Sequence, residues 1–145
     1  MTDDLWVSED HPISGRTAVV EDAGHSVWLY LTEPGGAQIA ADCWLFNRVP
    51  APAELDRAAA AHGPPPAVAA VVDEGAHRPA PIDPAAVRFR WSPDGESVAA
   101  LIDGEPVGCI VAGRERGMSR HLRLAGPWGE PLDAAVFDAT FGGDA

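Results

Sequence analysis

The stretch Val87-Arg-Phe-Arg-Trp-Ser-Pro-Asp-Gly-Glu-Ser-Val-Ala-Ala-Leu-Ile-Asp-Gly-Glu-Pro-Val-Gly-Cys-Ile-Val-Ala-Gly113 constrains this chain more than any other. It reads as three short strands joined by two tight turns. In the first, Val87, Phe89 and Trp91 fall on one face and Arg88 and Arg90 on the other, the alternation of a half-buried strand. Ser92-Pro93-Asp94-Gly95 supplies the turn: proline presets φ, and Asp-Gly tolerates the positive φ that closes a hairpin. Ser97 to Ile102 is apolar on both faces. Asp103-Gly104 marks a second hairpin, and Val107 to Ala112 is again apolar on both faces. A strand of that kind has to be covered on both sides. Residues 97–112 are therefore expected at the centre of a strongly bent antiparallel sheet.

A second meander precedes it. Arg16 to Asp22, His25 to Thr32 and Ala37 to Asn47 are expected as strands, separated by Ala23-Gly24 and by Glu33-Pro34-Gly35-Gly36. In the middle strand Val27, Leu29 and Leu31 share one face, and Trp28 and Tyr30 the other. Two helices are expected. Ala53 to His62 is rich in alanine, with Gly63 as its cap and Pro64-Pro65-Pro66 as its stop. Pro131 to Phe141 carries Leu132, Val136, Phe137 and Thr140 at helical spacing. The segment 67–72 is expected as a strand or buried turn, and 73–84 as a loop. Residues 1–15, acidic and without apolar periodicity, are expected to form a flexible N-terminal segment, anchored at most by Leu5-Trp6-Val7. Residues 16–145 form one β-rich domain in this reading.

Six or so short strands with one or two short helices imply a mainly β fold. The first expectation is a small curled antiparallel sheet, or a partly open barrel of SH3 or Sm size. A two-sheet β-sandwich is the alternative. The run Trp91-Ser92-Pro93-Asp94-Gly95, followed by Val98-Ala99, resembles the hairpin of a β-propeller blade. A propeller needs at least four blades of roughly forty residues, and the run does not recur, so the resemblance is one of turn chemistry.

Charge narrows the partners. The net charge is −12, and all ten basic residues are arginines. Residues 1–83 carry 13 acids and 4 arginines, net −9. Residues 84–125 are net +1, and 126–145 net −4. This acidity makes nucleic acid an unlikely ligand and argues against an anionic membrane. Neither a secretory leader nor an 18-residue apolar span is legible. A cytoplasmic protein with reduced cysteines at 43 and 109 is expected.

No residue pattern carries catalysis strongly. A nucleophile elbow is absent. Ser119 and His121 lie two apart, and Cys109 has no sequence-adjacent base. Glu74 and His77 have ligand spacing but sit in a Gly/Pro-rich loop, so no metal site and no cofactor is expected. The segment Arg114-Glu-Arg-Gly-Met-Ser-Arg-His-Leu-Arg123 stands out in so acidic a chain. Its members Arg114, Arg116, Arg120, His121 and Arg123, with Arg88, Arg90 and Trp128, are the candidate ligand- or partner-binding residues. Guanidinium forks bind carboxylate and phosphate. The same arginines can instead pair with the protein's own carboxylates. Three functional expectations follow: a non-enzymatic binding or protein-interaction module, a small hydrolase using His121 or Cys109, and an acidic inhibitor of a basic protein. Partners are expected to be a protein or, through the basic segment, a weak homodimer anchored by Trp6, Trp44 or Trp128.

Overall fold

The computed structural model describes residues 5–54 and 66–142. Two sheets make up the molecule, one of four strands in the order β1-β2-β3-β4 and one of five in the order β5-β6-β7-β8-β9. The first holds β1 (Trp6–Asp10), β2 (Thr17–Asp22), β3 (Ser26–Thr32) and β4 (Ile39–Asn47). The second holds β5 (Val87–Trp91), β6 (Val98–Ile102), β7 (Glu105–Ile110), β8 (Met118–Ser119) and β9 (Glu130–Pro131). All pairings are antiparallel except β8 with β9. Three short 3-10 turns precede β5, and helix α1 (Ala134–Phe141) closes the chain.

The fold is thus mainly β and two-layered. The curled single sheet or partly open barrel is not what forms; the two-sheet alternative describes the architecture. The physical reason lies between β4 and β5, where residues 48–86 separate the first sheet from the second in the chain. Two meanders that are not joined by a hairpin pack face to face instead of merging. Ala18, Val20, Leu29, Leu31, Cys43 and Leu45 point inward from one sheet, and Val87, Val98, Ala100, Ile102, Val107 and Ile110 meet them from the other.

At the β4/β7/β8 corner the layers close up. The Cys43 thiol lies 3.3 Å from the Met118 carbonyl, and the Ser119 hydroxyl donates to the Leu45 carbonyl at 3.4 Å. A methyl carbon at Gly117 would stand 2.5 Å from the Cys43 Cβ, so the approach tolerates only glycine there.

The two-faced apolarity of β6 and β7 has its explanation in α1. The helix lays Phe137 and Phe141 over Ala99, Cys109 and Met118, with Leu101 and Val111 half-buried beside them. Asp133 caps the helix by accepting from the Ala135 and Val136 amides. That cap starts the helix three residues later than its apolar spacing implies, while Pro131 belongs to β9. Asp103 (φ 53°) and Gly104 (φ 82°) make the tight β6–β7 turn that Asp-Gly announces.

One further expectation is revised. The N-terminal segment is not wholly a flexible leader: Leu5 is buried in the core, and Trp6–Asp10 pairs along β2 as an edge strand. Its alternation, Val7 and Glu9 inward with Trp6, Ser8 and Asp10 outward, is masked in sequence by the acidic residues. Glu9 reaches inward because it accepts from the Trp91 indole at 2.6 Å, which also leaves Trp91 half-buried rather than in the core. The helix expected at Ala53 to His62 falls largely outside the described residues.

Candidate functional site

The arginines singled out by sequence do not converge. Arg88 and Arg90 stand on β5, at one edge of the five-stranded sheet, and the 114–123 segment lies around β8 near the other edge. Arg90 donates to the Gly142 carbonyl at 2.9 Å and Arg88 to that of Ala85. Within the basic segment Arg114 pairs with Glu130 (3.5 Å) and Arg120 with Glu105 (3.0 Å). Arg116 donates to the Gly126 carbonyl, and Arg123 to those of Val72 and Ala70. These side chains tie loops to one another. Trp128 is buried with Trp28, Trp44, Leu122 and Ala67 in a minor cluster, so neither it nor Trp44 can anchor an interface.

One part of the set does gather. His121, Arg120 and Arg78 line a hollow of about 230 Å³ with Glu105 and Val107. Asp73 holds His121 Nδ1 at 3.0 Å. Burial pulls the imidazole below the ordinary histidine value, against the opposing pull of Asp73, and Arg120 and Arg78 add to the lowering. Neither suspected nucleophile joins it. Ser119 is buried and bonded to Leu45, and the Cys109 thiol, under α1, is pushed up to about 12 by desolvation. Among the described residues no cluster of three or more His, Cys, Asp or Glu side chains is placed to hold a metal ion.

A further surface feature, without a sequence motif, lies on the four-stranded sheet. Register puts Trp6, Ser8 and Asp10 of β1 beside Glu21, Val19 and Thr17 of β2. Glu21 and Val19 in turn face Trp28 and Tyr30 of β3, and Tyr30 faces Asp42 of β4. With a period of two, all these side chains share the sheet's outer face. At one end Trp28 and Trp44 are covered by residues of the 67–76 and 122–128 segments. The other end is an open groove of about 430 Å³ whose walls include Trp6, Val19, Glu21, Tyr30 and Ile39.

Trp6 and Ile39 are each 60% exposed, unusual for side chains this large and apolar. Tyr30 is stacked on Trp28, centroids 6.5 Å apart, which fixes its ring against the groove. Its hydroxyl is pushed up to about 12, first by burial and then by the charges of Glu21 and Asp42. Burial also raises the Asp42 carboxyl. Neither Glu21 nor Asp42 forms an ion pair among the described residues, whereas Asp22, next to Glu21, is held by Arg48 at 3.1 Å.

The sequence signal for this groove was available: Thr17, Val19 and Glu21 alternate with Ala18, Val20 and Asp22, and Trp28 and Tyr30 oppose the core face of β3. What could not be read was which end of that face other segments would cover.

No family model, no curated protein and no solved structure matches this chain.

Proposed function

We propose that the protein is a non-enzymatic binding module that docks a basic protein on the outer face of its four-stranded sheet. The observation that carries this reading is the groove itself: exposed aromatic and aliphatic walls beside two carboxylates with no cation of their own among the described residues. Exposed aromatics anchor interfaces, and an acidic field steers a basic partner toward them. The net −9 of residues 1–83, which contain the whole sheet, extends that field. An inhibitor capping the basic active surface of another protein is one form this module takes. In this reading the protein works in the cytoplasm, where the buried thiols of Cys43 and Cys109 stay reduced. Among the described residues no helix is long and apolar enough to cross a membrane.

The test is capture from an extract of the protein's native cells at low and high salt. Wild type is compared with a Trp6→Ala/Glu21→Gln/Asp42→Asn variant. A basic partner retained at low salt by the wild type alone, with hydrogen-exchange protection on β1–β3, supports the reading. No retained partner, or one held equally by the variant, ends it.

A hydrolase reading rests on a different observation, the Asp73–His121 pair beside Arg78 and Arg120. Turnover of esterase, phosphatase or nuclease substrates that vanishes in His121→Ala would establish it over the binding module.

A further inference from the structure

We infer that the groove is a slot for an arginine side chain, whose guanidinium lies against the Trp6 and Tyr30 rings while Glu21 and Asp42 supply the counter-charge. This rests on the reading of the face as a docking surface and names the residue that anchors the partner to it.

Three observations converge. The first is shape. Trp6 on β1 and Tyr30 on β3 are separated by one intervening strand and offset by two residues in register, so their backbones stand roughly 12 Å apart. Val19 of β2, directly beside Tyr30 in register and almost fully buried, forms the floor. That opening suits a flat group lying against aromatic rings. The second is charge. Glu21 on β2 and Asp42 on β4 flank Tyr30 from its two neighbouring strands, and both act on its hydroxyl. Several carboxylates elsewhere meet guanidinium groups: Asp22 with Arg48, Glu96 with Arg16, Glu105 with Arg120 and Glu130 with Arg114. Glu21 and Asp42 do not. The third is desolvation. Asp42 is exposed, yet its surroundings raise its carboxyl and no compensating charge stands beside it, a cost that an incoming cation relieves.

Arginine fits better than lysine. Its guanidinium is planar, stacks on aromatic faces, is more weakly hydrated, and can bond Glu21 on the groove wall while its delocalised charge is felt by Asp42 on the strand beyond Tyr30. An ammonium is a point charge with a tightly held water shell and gains less from flat walls.

The experiment uses the full chain, isotopically labelled and titrated with the blocked tripeptide acetyl-Gly-Arg-Gly-amide while amide and indole resonances are followed. Matched peptides carry citrulline, which keeps the shape and loses the charge, or lysine. The expected result is a saturable shift of the Trp6 indole N–H and of β2 and β3 amides with arginine. Citrulline should bind at least about tenfold more weakly, as loss of the charge-assisted bonds requires, and lysine should fall between. Trp6→Ala should lower arginine affinity by about five- to thirty-fold. Because Trp6 is 60% exposed, its melting temperature should stay near wild type. The Glu21→Gln/Asp42→Asn variant should lower affinity while leaving the aromatic walls intact. Absence of a saturable shift, or citrulline binding as well as arginine, overturns the slot. Hydrogen-exchange protection of β1–β3 by a captured basic protein does not depend on that result, so failure of the slot and failure of the docking face are read separately.

Discussion

The two sheets of this protein treat their outer faces in opposite ways. The five-stranded sheet turns Ala99, Leu101, Cys109 and Val111 outward, and α1 covers them with Phe137 and Phe141. The four-stranded sheet turns Trp6, Val19, Tyr30 and Ile39 outward, and among the described residues that end of the sheet lies open. The difference is written in side-chain chemistry. On the covered face the central strands β6 and β7 present small or purely apolar residues, and charge is confined to β5, where Arg88 and Arg90 stand beside Leu101 and Ala99 and Arg90 reaches the Gly142 carbonyl at the end of α1. On the open face every apolar residue has a polar or acidic neighbour: Ser8 and Thr17 beside Val19, Glu21 beside Trp6, Asp42 beside Tyr30. A helix laid there would have to desolvate those groups. An outer face whose central strands are apolar asks for cover from its own chain, and one mixed throughout remains in water, ready for a partner that brings compensating groups.

Truncating one aromatic on each face breaks this comparison most directly. Phe137 is buried in the outer cluster, so Phe137→Ala should cost about 3 kcal/mol in chemical denaturation. Trp6→Ala should change stability by less than about 0.5 kcal/mol, since its side chain is largely in water. Equal losses at the two positions would mean that the faces are equivalent and that the groove is part of the folded core.

A smaller effect sharpens the electrostatic side. The Asp42 carboxyl is raised, so the folded protein holds this proton more tightly than the unfolded chain does. Stability therefore falls as pH rises from the ordinary carboxyl value of 3.8 through the raised one, and it stays lowered at neutral pH. Asp42→Asn removes that dependence. Its melting temperature at neutral pH should exceed wild type, and the difference should shrink as pH falls below the ordinary value. A variant that melts below wild type at neutral pH would show that Asp42 already has a favourable partner.

The smallest effect concerns self-association through the basic segment. Arg120 and Glu105 form an exposed pair, worth roughly 0–1 kcal/mol. With Arg114, Arg116 and Arg123 also engaged within the chain, a homodimer built on these arginines has to compete for groups in use. Sedimentation at several salt concentrations measures it. A salt-sensitive dimer that Arg120→Glu shifts toward monomer upholds the charge mechanism. A chain that stays monomeric at low salt and high concentration removes it.

Much of the fold was legible before any coordinates. The two meanders, the Asp-Gly turn at 103–104, the inward face of β3 and the need to cover β6 and β7 twice all follow from spacing and turn chemistry, which are local. The edge strand β1 was not, because four polar or acidic residues follow Leu5-Trp6-Val7 and hide an alternation of two. The site was legible only as chemistry without address. Arginine clustering at 114–123 stands out in the sequence, yet those arginines reach carbonyls and carboxylates that come from distant segments.

What the sequence determined by itself, then, is the set of strands, their faces and the acidic field over the first half, since period, turn residues and formal charge depend on near neighbours. Tertiary structure decided that the meanders form two layers rather than one curled sheet, that α1 spends its apolar face on β6 and β7, and that Trp6, Glu21 and Tyr30 share one open groove with Asp42 on the strand beside it. Those outcomes turn on which surfaces meet across long stretches of chain. A competition among alternative packings settles such meetings, because burial rewards any apolar contact and only complementary shape and satisfied polar groups select one of them.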